Sequence, residues 1–357
     1  MLGFDGSWPH SFHDSTDMRS QRLKGDAQMK KTEAKGILKK GSMSLAVFGL
    51  ALLGAVPGSW AADQKVLSIA TGGSGGTYFA IGSGMATLVS KYMPDYKLVV
   101  QSTAASIENI HLVANKKVDF AIVMPDSAYF ATIGGREFSG KAKYDNLRAV
   151  TAGHASLLQA ASLKSSGIKN FTDLRGKKVA LGAPGSPSKF LTMAALEAYD
   201  LKSDDYQAAF LTYAEMVEGL KDGNIDASAV FAGIPTSSML DLATTTKINF
   251  LPVEESKFAF LKKNYPYYSK AVIAANTYTG QDAPVTTLAA PAILITNSDV
   301  PEEVVHQFIR TILEHTDELA AIHPAGAKWN LQTATDGIAI PFHPGAKKYL
   351  QEKNKLN

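Results

Sequence analysis

Residues 66–92 read VLSIATGGSGGTYFAIGSGMATLVSKY. Val66–Thr71 is a short run typical of a β-strand, and a glycine-rich loop, Gly72–Gly76, follows it directly. Apolar residues then recur with helical spacing at Ile81, Met85, Leu88, Val89 and Tyr92. The stretch predicts a strand that turns through a glycine loop into an amphipathic helix, which is the opening of an α/β unit.

The same succession continues along the chain and then recurs. The further strand-like runs are 97–101 and 118–123, followed by 178–182, 207–212 and 225–231. Gly76 and Asp119 are 43 residues apart, and Gly185 and Asp226 are 41 residues apart. The chain therefore contains two sets of strands and helices with nearly the same spacing.

Alternating strands and helices are typical of parallel sheets that carry helices on both faces. Ligands of such sheets bind beyond the carboxyl ends of the strands. Two long apolar runs, Leu147–Leu163 and Thr286–Ile295, join the two sets, and we expect them to be crossovers that permit hinge closure. Pro301 suits the first turn of a following helix, with Ser298 or Asp299 as its cap. We predict an α/β fold with two lobes and a cleft between them.

The amino-terminal region has the order of a secretory signal. Lysines at 30–40 precede the apolar run Leu45–Val56, and small residues suit cleavage near Ala61/Ala62. The 12 apolar residues of this run span about 18 Å, which is too short for a membrane helix. We therefore expect a cleaved signal peptide and a periplasmic protein, with no lipid anchor because no cysteine lies at the cleavage site.

The composition excludes several classes of protein. Residues 1–61 hold eight of the 36 Lys/Arg and five of the 33 Asp/Glu, so they carry the whole net charge of +3. The remainder is neutral, which does not favour nucleic acid or an anionic membrane as a partner. There is no cysteine, which excludes disulfides, thiolate metal sites and cysteine nucleophiles. The histidines show no metal-binding spacing, and we expect no metal, no cofactor and no catalytic residue.

The glycine loop is the strongest local signal for a ligand. Glycines let backbone N–H groups approach a ligand closely, and the start of a helix favours anionic groups. The loop lacks the ending of a phosphate-binding loop, and Tyr78 stands where a dinucleotide fingerprint has its last glycine. It does spell G-x-S-x-G around Ser74, so a serine hydrolase with Asp282 and either His323 or His343 is a distant alternative.

Seven short motifs follow one another along the chain. They are ATGGSGGTY at 70–78, STAASIEN at 102–109, DLRGKKV at 173–179, DGNIDA at 222–227, GIP at 233–235, TYTGQD at 277–282 and HPGA at 343–346. Together they resemble the TAXI family of solute receptors for TRAP (tripartite ATP-independent periplasmic) transporters, from about Val66 to the carboxyl end.

The resemblance implies a type II periplasmic-binding-protein-like fold, with no catalysis. It implies a small organic anion as the ligand, namely a dicarboxylate, a keto acid or an acidic amino acid. It also implies TRAP membrane permease subunits as partners and uptake driven by an ion gradient. Two alternatives stay open: a binding protein of an ATP-driven importer, and a sensor that binds a solute for a membrane kinase.

Three departures from the family pattern fall where the ligand is expected. Met124-Pro125-Asp126 stands where the family has Q-S-D, and Gly185-Ser186-Pro187-Ser188 stands where it has G-S-G-T. Ala104-Ala105 replaces two glycines. Pro187 lacks an N–H donor and Met124 lacks an amide. These changes suggest a ligand that is less polar, or differently shaped, than those of relatives.

The resulting assignment divides the chain as follows: 1–28 an untranslated or disordered extension, 29–61 the signal peptide, 62–152 plus 286–357 lobe 1, and 153–285 lobe 2. Expected ligand-binding residues of lobe 1 are Gly73, Ser74, Gly76, Thr77, Tyr78, Thr103, Ala105, Ser106, Asn109, Met124 and Asp126. Those of lobe 2 are Gly185, Ser186, Ser188, Gly233 and Pro235.

Within this assignment the hydroxyls of Ser74, Thr77, Thr103 and Ser106 hold the anionic end of the solute. A Thr103→Val variant is therefore expected to bind the solute about 1–3 kcal/mol more weakly, because a buried polar partner is lost. Isothermal titration calorimetry with the bound solute measures this change. Unchanged affinity would remove Thr103 from the site.

Overall fold

Ten β-strands form the sheet of the described chain. A computed structural model describes residues 64–140 and 143–356. The strands are β1 Lys65–Ala70, β2 Tyr96–Gln101, β3 Phe120–Val123, β4 Leu147–Leu163, β5 Lys178–Ala180, β6 Gln207–Ala209, β7 Ala227–Ala232, β8 Ile248–Phe250, β9 Ser269–Ile273 and β10 Val285–Asn297. Their spatial order is β2-β1-β3-β10-β4-β7-β5-β6, while β8 pairs with β4 and β9 with β10.

Ten α-helices accompany these strands in the same residues. They are α1 Thr77–Tyr92, α2 Ser106–Ala114, α3 Pro125–Ile133, α4 Pro187–Ala198, α5 Tyr213–Lys221, α6 Ser237–Thr245, α7 Phe258–Asn264, α8 Glu302–Glu314, α9 Thr316–Ile322 and α10 Pro344–Glu352. The apolar spacing in α1 puts Ile81, Met85 and Leu88 on one buried stripe. Among the described residues, no helix has both the length and the apolar character that a membrane crossing requires.

The two halves repeat one plan. β1 lies between β2 and β3 and is parallel to both, as β5 lies parallel between β6 and β7. Equivalent aspartates join the strands in each half. A carboxylate oxygen of Asp119 accepts a hydrogen bond from the Ser68 N–H at 2.7 Å, and one of Asp226 accepts from the Lys178 N–H at 2.8 Å. These aspartates lock neighbouring strands together.

The long strands β4 and β10 join the halves. β10 runs antiparallel to β3 and to β4, and β4 runs antiparallel to β7. Both apolar crossovers expected from the sequence are thus neighbouring central strands of one continuous sheet. The predicted fold class, α/β with two lobes, is confirmed.

Both faces of each half are covered, as parallel strands require. Alternate residues of β3 serve opposite faces: Phe120 packs with Phe308 of α8, and Val123 belongs to a separate cluster on the other side. The second half follows the same rule along β7, where Phe231 and Val230 belong to different apolar clusters.

A β-bulge interrupts the central pair. Pro291 faces Ala155 and Ile293 faces Ala152, so β4 has one residue more than β10 in this interval. Such a bulge bends a strand and redirects its side chains. Gly153 lies in the bulge, and a Cβ built on it would be 2.2 Å from Cε2 of the buried Trp329. Only glycine lets the indole pack against the strand here.

Two local predictions are wrong. α8 begins at Glu302 with Pro301 as its N-cap and no side-chain cap, because Asp299 pairs instead with Lys116. The strand expected over 207–212 ends at Ala209, because Thr212 forms a capping box for α5. The predicted extension and signal peptide lie outside the described residues.

Replacing Gly153 by alanine is expected to lower the free energy of unfolding by about 1–3 kcal/mol, since the added methyl group overpacks the contact with Trp329. Urea unfolding measures the change. Gly73→Ala is the matched control, because a Cβ there meets no atom within 4 Å. Equal stability of both variants would contradict the packing argument.

Candidate functional site

A cavity of about 280 Å³ lies where the two halves meet. Its lining comes from segments 72–78, 102–105, 183–187, 212–213 and 231–232. Each segment lies at or after the carboxyl end of a strand or begins a helix, as expected for an α/β sheet. Of the residues that line it, none carries an Asp, Glu, Lys, Arg or His side chain. A ligand here meets backbone, hydroxyl and aromatic groups.

Two helices begin at the cavity wall without a side-chain cap. Gly76 is the N-cap of α1 and Ala105 is the N-cap of α2, and neither supplies a capping oxygen. The N–H groups of a first helical turn have no partner within the helix, and the helix dipole adds a partial positive charge. Both residues line the cavity. The wall therefore offers N–H donors suited to an anionic group.

Ala105 has an unusual backbone conformation. Its φ is +74° with ψ at −142°, a region that favours glycine. A strained residue of this kind persists only when its surroundings hold it there. The Ala105 N–H donates to Thr103 Oγ1 at 3.0 Å, which helps to fix the loop that faces the cavity.

The loop 72–78 also touches the second half directly. Thr77 Oγ1 donates a buried hydrogen bond of 2.7 Å to the Gly233 carbonyl, and the Ser238 N–H donates to the Gly75 carbonyl at 3.3 Å. A Cβ built on Gly76 would be 3.1 Å from Cε2 of Tyr213. These contacts hold the two halves together over the cavity, so the structure has a closed arrangement.

The hydroxyl groups expected to bind a ligand are largely engaged within the protein. Thr103 Oγ1 donates to Asn109 Oδ1 at 2.6 Å, and Ser106 Oγ accepts from the Met124 N–H at 3.0 Å. Ser188 Oγ accepts from the Phe231 N–H at 3.0 Å. These side chains brace the loops, and the donors left for a ligand are mainly the N–H groups of the first helical turns.

Asn109 is the centre of this bracing. It is fully buried, and its Nδ2 donates to the Thr71 carbonyl at 2.6 Å and to the Ile122 carbonyl at 2.8 Å. One amide therefore ties together the ends of β1 and β3 and the loop that contains Thr103.

The structure brings seven of the expected site residues to the cavity lining. They are Gly73, Gly76, Thr77, Tyr78, Thr103, Ala105 and Ser186. Ser106, Asn109, Ser188 and Gly233 lie directly behind it, through the contacts described above. A binding role for any of them stays a prediction.

The remaining expected residues lie away from this lining, and a binding role for them also stays a prediction. Ser74 is exposed. A Cβ built on Gly185 would be 3.6 Å from the Cβ of Ile107. The Pro235 carbonyl accepts from Nε2 of His323 at 3.0 Å. Met124 and Asp126 line a different groove, next to Tyr267.

Asp126 has a structural partner in that groove. Arg136 Nη1 lies 3.0 Å from its carboxylate. Burial raises the pKa of the Asp126 carboxyl, and the nearby guanidinium opposes that rise. Asp126, the acid expected in the ligand site, is therefore part of an ion pair.

The lining residues of the second half that sequence reasoning did not name as binding residues include Thr212, Tyr213, Phe231 and Ala232. The Tyr213 hydroxyl donates to the Phe231 carbonyl at 2.7 Å and bonds with Ser188 Oγ at 2.7 Å. Burial raises the pKa of Tyr213 to about 12, so it is a neutral phenol. Ligands bind beyond the carboxyl ends of strands. Tyr213 would therefore have been expected at the site if the end of β6 had been predicted at Ala209.

His154 lies beside the cavity wall. Trp329 Nε1 donates to His154 Nδ1 at 3.0 Å, and because indole is only a donor, Nδ1 must be unprotonated. Burial lowers the pKa of His154 to about 3, with a smaller effect from His323. The ring is neutral and carries its proton on Nε2.

This buried imidazole predicts acid sensitivity. Unfolded His154 takes up a proton below pH 6.5, whereas the folded ring stays neutral down to about pH 3, so stability is lost as the pH falls through this window. Between pH 7 and pH 5 the loss is about 2 kcal/mol. A His154→Gln variant should lose less stability by about that amount in urea unfolding at both pH values. An identical pH dependence would contradict the assignment.

Comparisons with known proteins cover most of the chain. The family described as NMT1-like matches residues 69–353. Among solved structures, the chain is similar to the periplasmic aliphatic sulphonate binding protein SsuA from Escherichia coli, with 18% identity, a TM-score of 0.45, and 80% of this chain and 83% of that chain covered.

Two further structures have a comparable likeness. The alkanesulfonate-binding protein SsuA from Xanthomonas axonopodis pv. citri, bound to MOPS, has 15% identity and a TM-score of 0.44, with 82% of this chain and 92% of that chain covered. A binding protein component of an ABC phosphonate transporter from Pseudomonas aeruginosa has 14% identity and a TM-score of 0.48, with 77% and 84% covered. Because the family match spans well over half of the sequence, the chain belongs to the NMT1-like family.

Proposed function

We propose that this protein is an extracytoplasmic solute receptor, which encloses a small organic anion between its two halves and delivers it to a membrane transporter. The observation that carries the proposal is the cavity itself. It is lined from both halves, and two uncapped helices begin at its wall.

The donor set favours a carboxylate or a similar oxyanion. Backbone N–H groups at helix starts bind anions through charge-assisted hydrogen bonds. The lining has no cation that would pair with the ligand, and a neutral site of oriented N–H groups can hold an anion without one. The volume of about 280 Å³ suits a small acid, because sites for drug-sized molecules are usually larger.

Closure would follow from the crossing strands. We assign residues 62–152 and 286–357 to lobe 1 and residues 153–285 to lobe 2. The boundary at 152/153 falls in the bulge of β4. The hydrogen bonds between the strands are already interrupted there, so a bend disturbs them least. Opening there would separate Thr77 from Gly233 and expose the cavity.

The transporter is proposed to be of the TRAP type. The support comes from the TAXI resemblance, because two of its motifs, at 70–78 and 102–109, supply much of the cavity lining. Uptake by the reconstituted receptor and permease should then follow an ion gradient without ATP. ATP-dependent uptake would assign the receptor to an importer of the other class.

The surroundings of Ser74 do not favour catalysis. A serine nucleophile needs a base within hydrogen-bond reach. Within residues 64–140 and 143–356, no hydrogen bond joins Ser74 to a histidine, and its side chain is exposed. We therefore propose that bound solutes leave the site unchanged.

A thermal-shift screen of carboxylates, sulfonates and amino acids tests the proposal. A true ligand at a hundred times its Kd stabilises the protein by about 2.7 kcal/mol. A hit among the acids, with the compound recovered intact, supports the receptor. If no anion stabilises the chain, or if a hit is consumed, the proposed function is wrong.

The closing contact gives a sharper prediction. Thr77→Val removes the hydrogen bond to Gly233, which belongs to the closed arrangement, and should weaken solute binding by about 1 kcal/mol, or about fivefold. Calorimetric titration measures the change. Thr87→Val is the matched control, because its hydroxyl bonds only to the Ser83 carbonyl of the same helix. Equal losses in both variants would contradict coupling between closure and binding.

A further inference from the structure

Three buried polar atoms beside the cavity have no hydrogen-bond partner. They are Tyr78 Oη, His154 Nε2 and Ser156 Oγ. The exposed fractions of these residues are 7%, 2% and 0%. Buried polar groups are nearly always paired, and leaving one unpaired costs free energy. Three of them in one place call for a physical explanation.

The three groups lie close together. The rings of Tyr78 and His154 meet edge to face, with centroids 5.8 Å apart. Ser156 lies two residues beyond His154 on β4, and both residues are buried. Burial raises the pKa of the Tyr78 hydroxyl, and the nearby Ser156 hydroxyl opposes that rise. The two groups do not have the geometry of a hydrogen bond.

The bulge fixes this arrangement. Trp329 packs against Gly153 and donates its N–H to His154 Nδ1, so the ring cannot rotate without losing that bond. The ring lies against Gly233, where a built Cβ would be 3.0 Å from Nε2 of His154 and 2.7 Å from Cγ2 of Thr77. Thr77 and Tyr78 both line the cavity. The unpaired atoms therefore lie just behind the wall of the proposed ligand site.

The charges around the cluster disfavour a second anion. His154 is neutral, as shown above, and offers a donor rather than a cation. Asp126, an acid that pairs with Arg136, also acts on the Tyr78 hydroxyl and raises its pKa. A neutral group with a carbonyl, hydroxyl or amide satisfies these atoms at lower electrostatic cost than a carboxylate does.

We propose that Tyr78, His154 and Ser156 form a second polar subsite, which binds a neutral oxygen- or nitrogen-bearing group at the far end of the solute. The inference rests on the proposed receptor function and narrows it. The solute is a monoanion, with its charged group at the starts of α1 and α2 and a neutral polar group at this cluster. Dicarboxylates, which the sequence resemblance included, are then poor ligands.

A structural role and a binding role predict opposite behaviour for the free protein. If the Tyr78 hydroxyl served stability, its removal would lower the melting temperature of the unliganded chain. If it awaits a ligand, Tyr78→Phe removes an unpaired buried hydroxyl and leaves the melting temperature unchanged or raises it. The ring and its packing are retained in this variant.

The test titrates the full chain, by calorimetry, with matched acids. The pairs are butanoate with 4-hydroxybutanoate, pentanoate with levulinate, and hexanoate with 5-oxohexanoate; succinate and glutarate are the dicarboxylates. For at least one pair, the wild-type protein should bind the polar member about tenfold more tightly than the plain acid, and more tightly than either dicarboxylate. Tyr78→Phe and Ser156→Ala should each remove most of this preference.

Tyr199→Phe is the matched control. The Tyr199 hydroxyl is paired with the Glu254 N–H at 2.8 Å, far from the cavity lining. It should lower the melting temperature and leave the ligand preference intact.

The outcomes separate the two proposals. If plain acids bind but no pair is discriminated, or if Tyr78→Phe and Ser156→Ala leave the preference unchanged, the second subsite is wrong and the receptor stands. A dicarboxylate that binds most tightly also overturns the subsite. If none of these acids binds the wild-type protein, the anion-receptor proposal itself is contradicted, and the subsite falls with it.

Discussion

The antiparallel pairing of β4 with β10 is the contact on which the rest of the structure depends. These strands are the only hydrogen-bonded link within the sheet of the described chain between the β2-β1-β3 set and the β7-β5-β6 set. Their register places the two parallel sets side by side, with the carboxyl ends of both facing one cavity. A slip by one residue would exchange the faces of the central strands and separate the loops that now meet.

The bulge within this pair converts the scaffold into a site. It combines an extra residue on β4, a glycine that admits Trp329, and a histidine whose tautomer the indole fixes. Each feature requires the others, since a side chain at Gly153 would displace the indole and release His154. A local irregularity thus lies where the ligand is proposed to bind.

Much of the scaffold could be predicted from the sequence. The limits Leu147–Leu163 coincide with β4, because a central strand is buried along nearly its whole length and is therefore rich in apolar residues. Asp119 and Asp226 follow the glycine loops of their halves at nearly the same distance along the chain. They make equivalent hydrogen bonds, because a repeated topology imposes a repeated contact. Element identity and order follow from such local periodicity.

The site was less predictable, because partners distant in sequence decide which atoms are free. Thr103 and Ser106 look like ligand donors in a linear reading, yet Asn109 and the Met124 N–H engage them. Tyr213 was missed because the capping box of Thr212 ends the preceding segment three residues early. Ala105 stands where the family pattern has glycine. Nothing in the sequence indicated that the backbone at Ala105 would have a positive φ.

The loop 72–78 explains how binding and closure would be coupled. One segment supplies N–H donors to the cavity and also makes the contacts to Gly233, Tyr213 and Ser238. An anion held at the start of α1 therefore orders the same residues that the second half must meet. Since a ligand shifts an equilibrium only through its different affinity for the two states, a site completed by closure favours the closed state. An uncharged lining helps here. No charged side chain has to be desolvated when the solute binds, and no ion pair has to be broken when the solute is released.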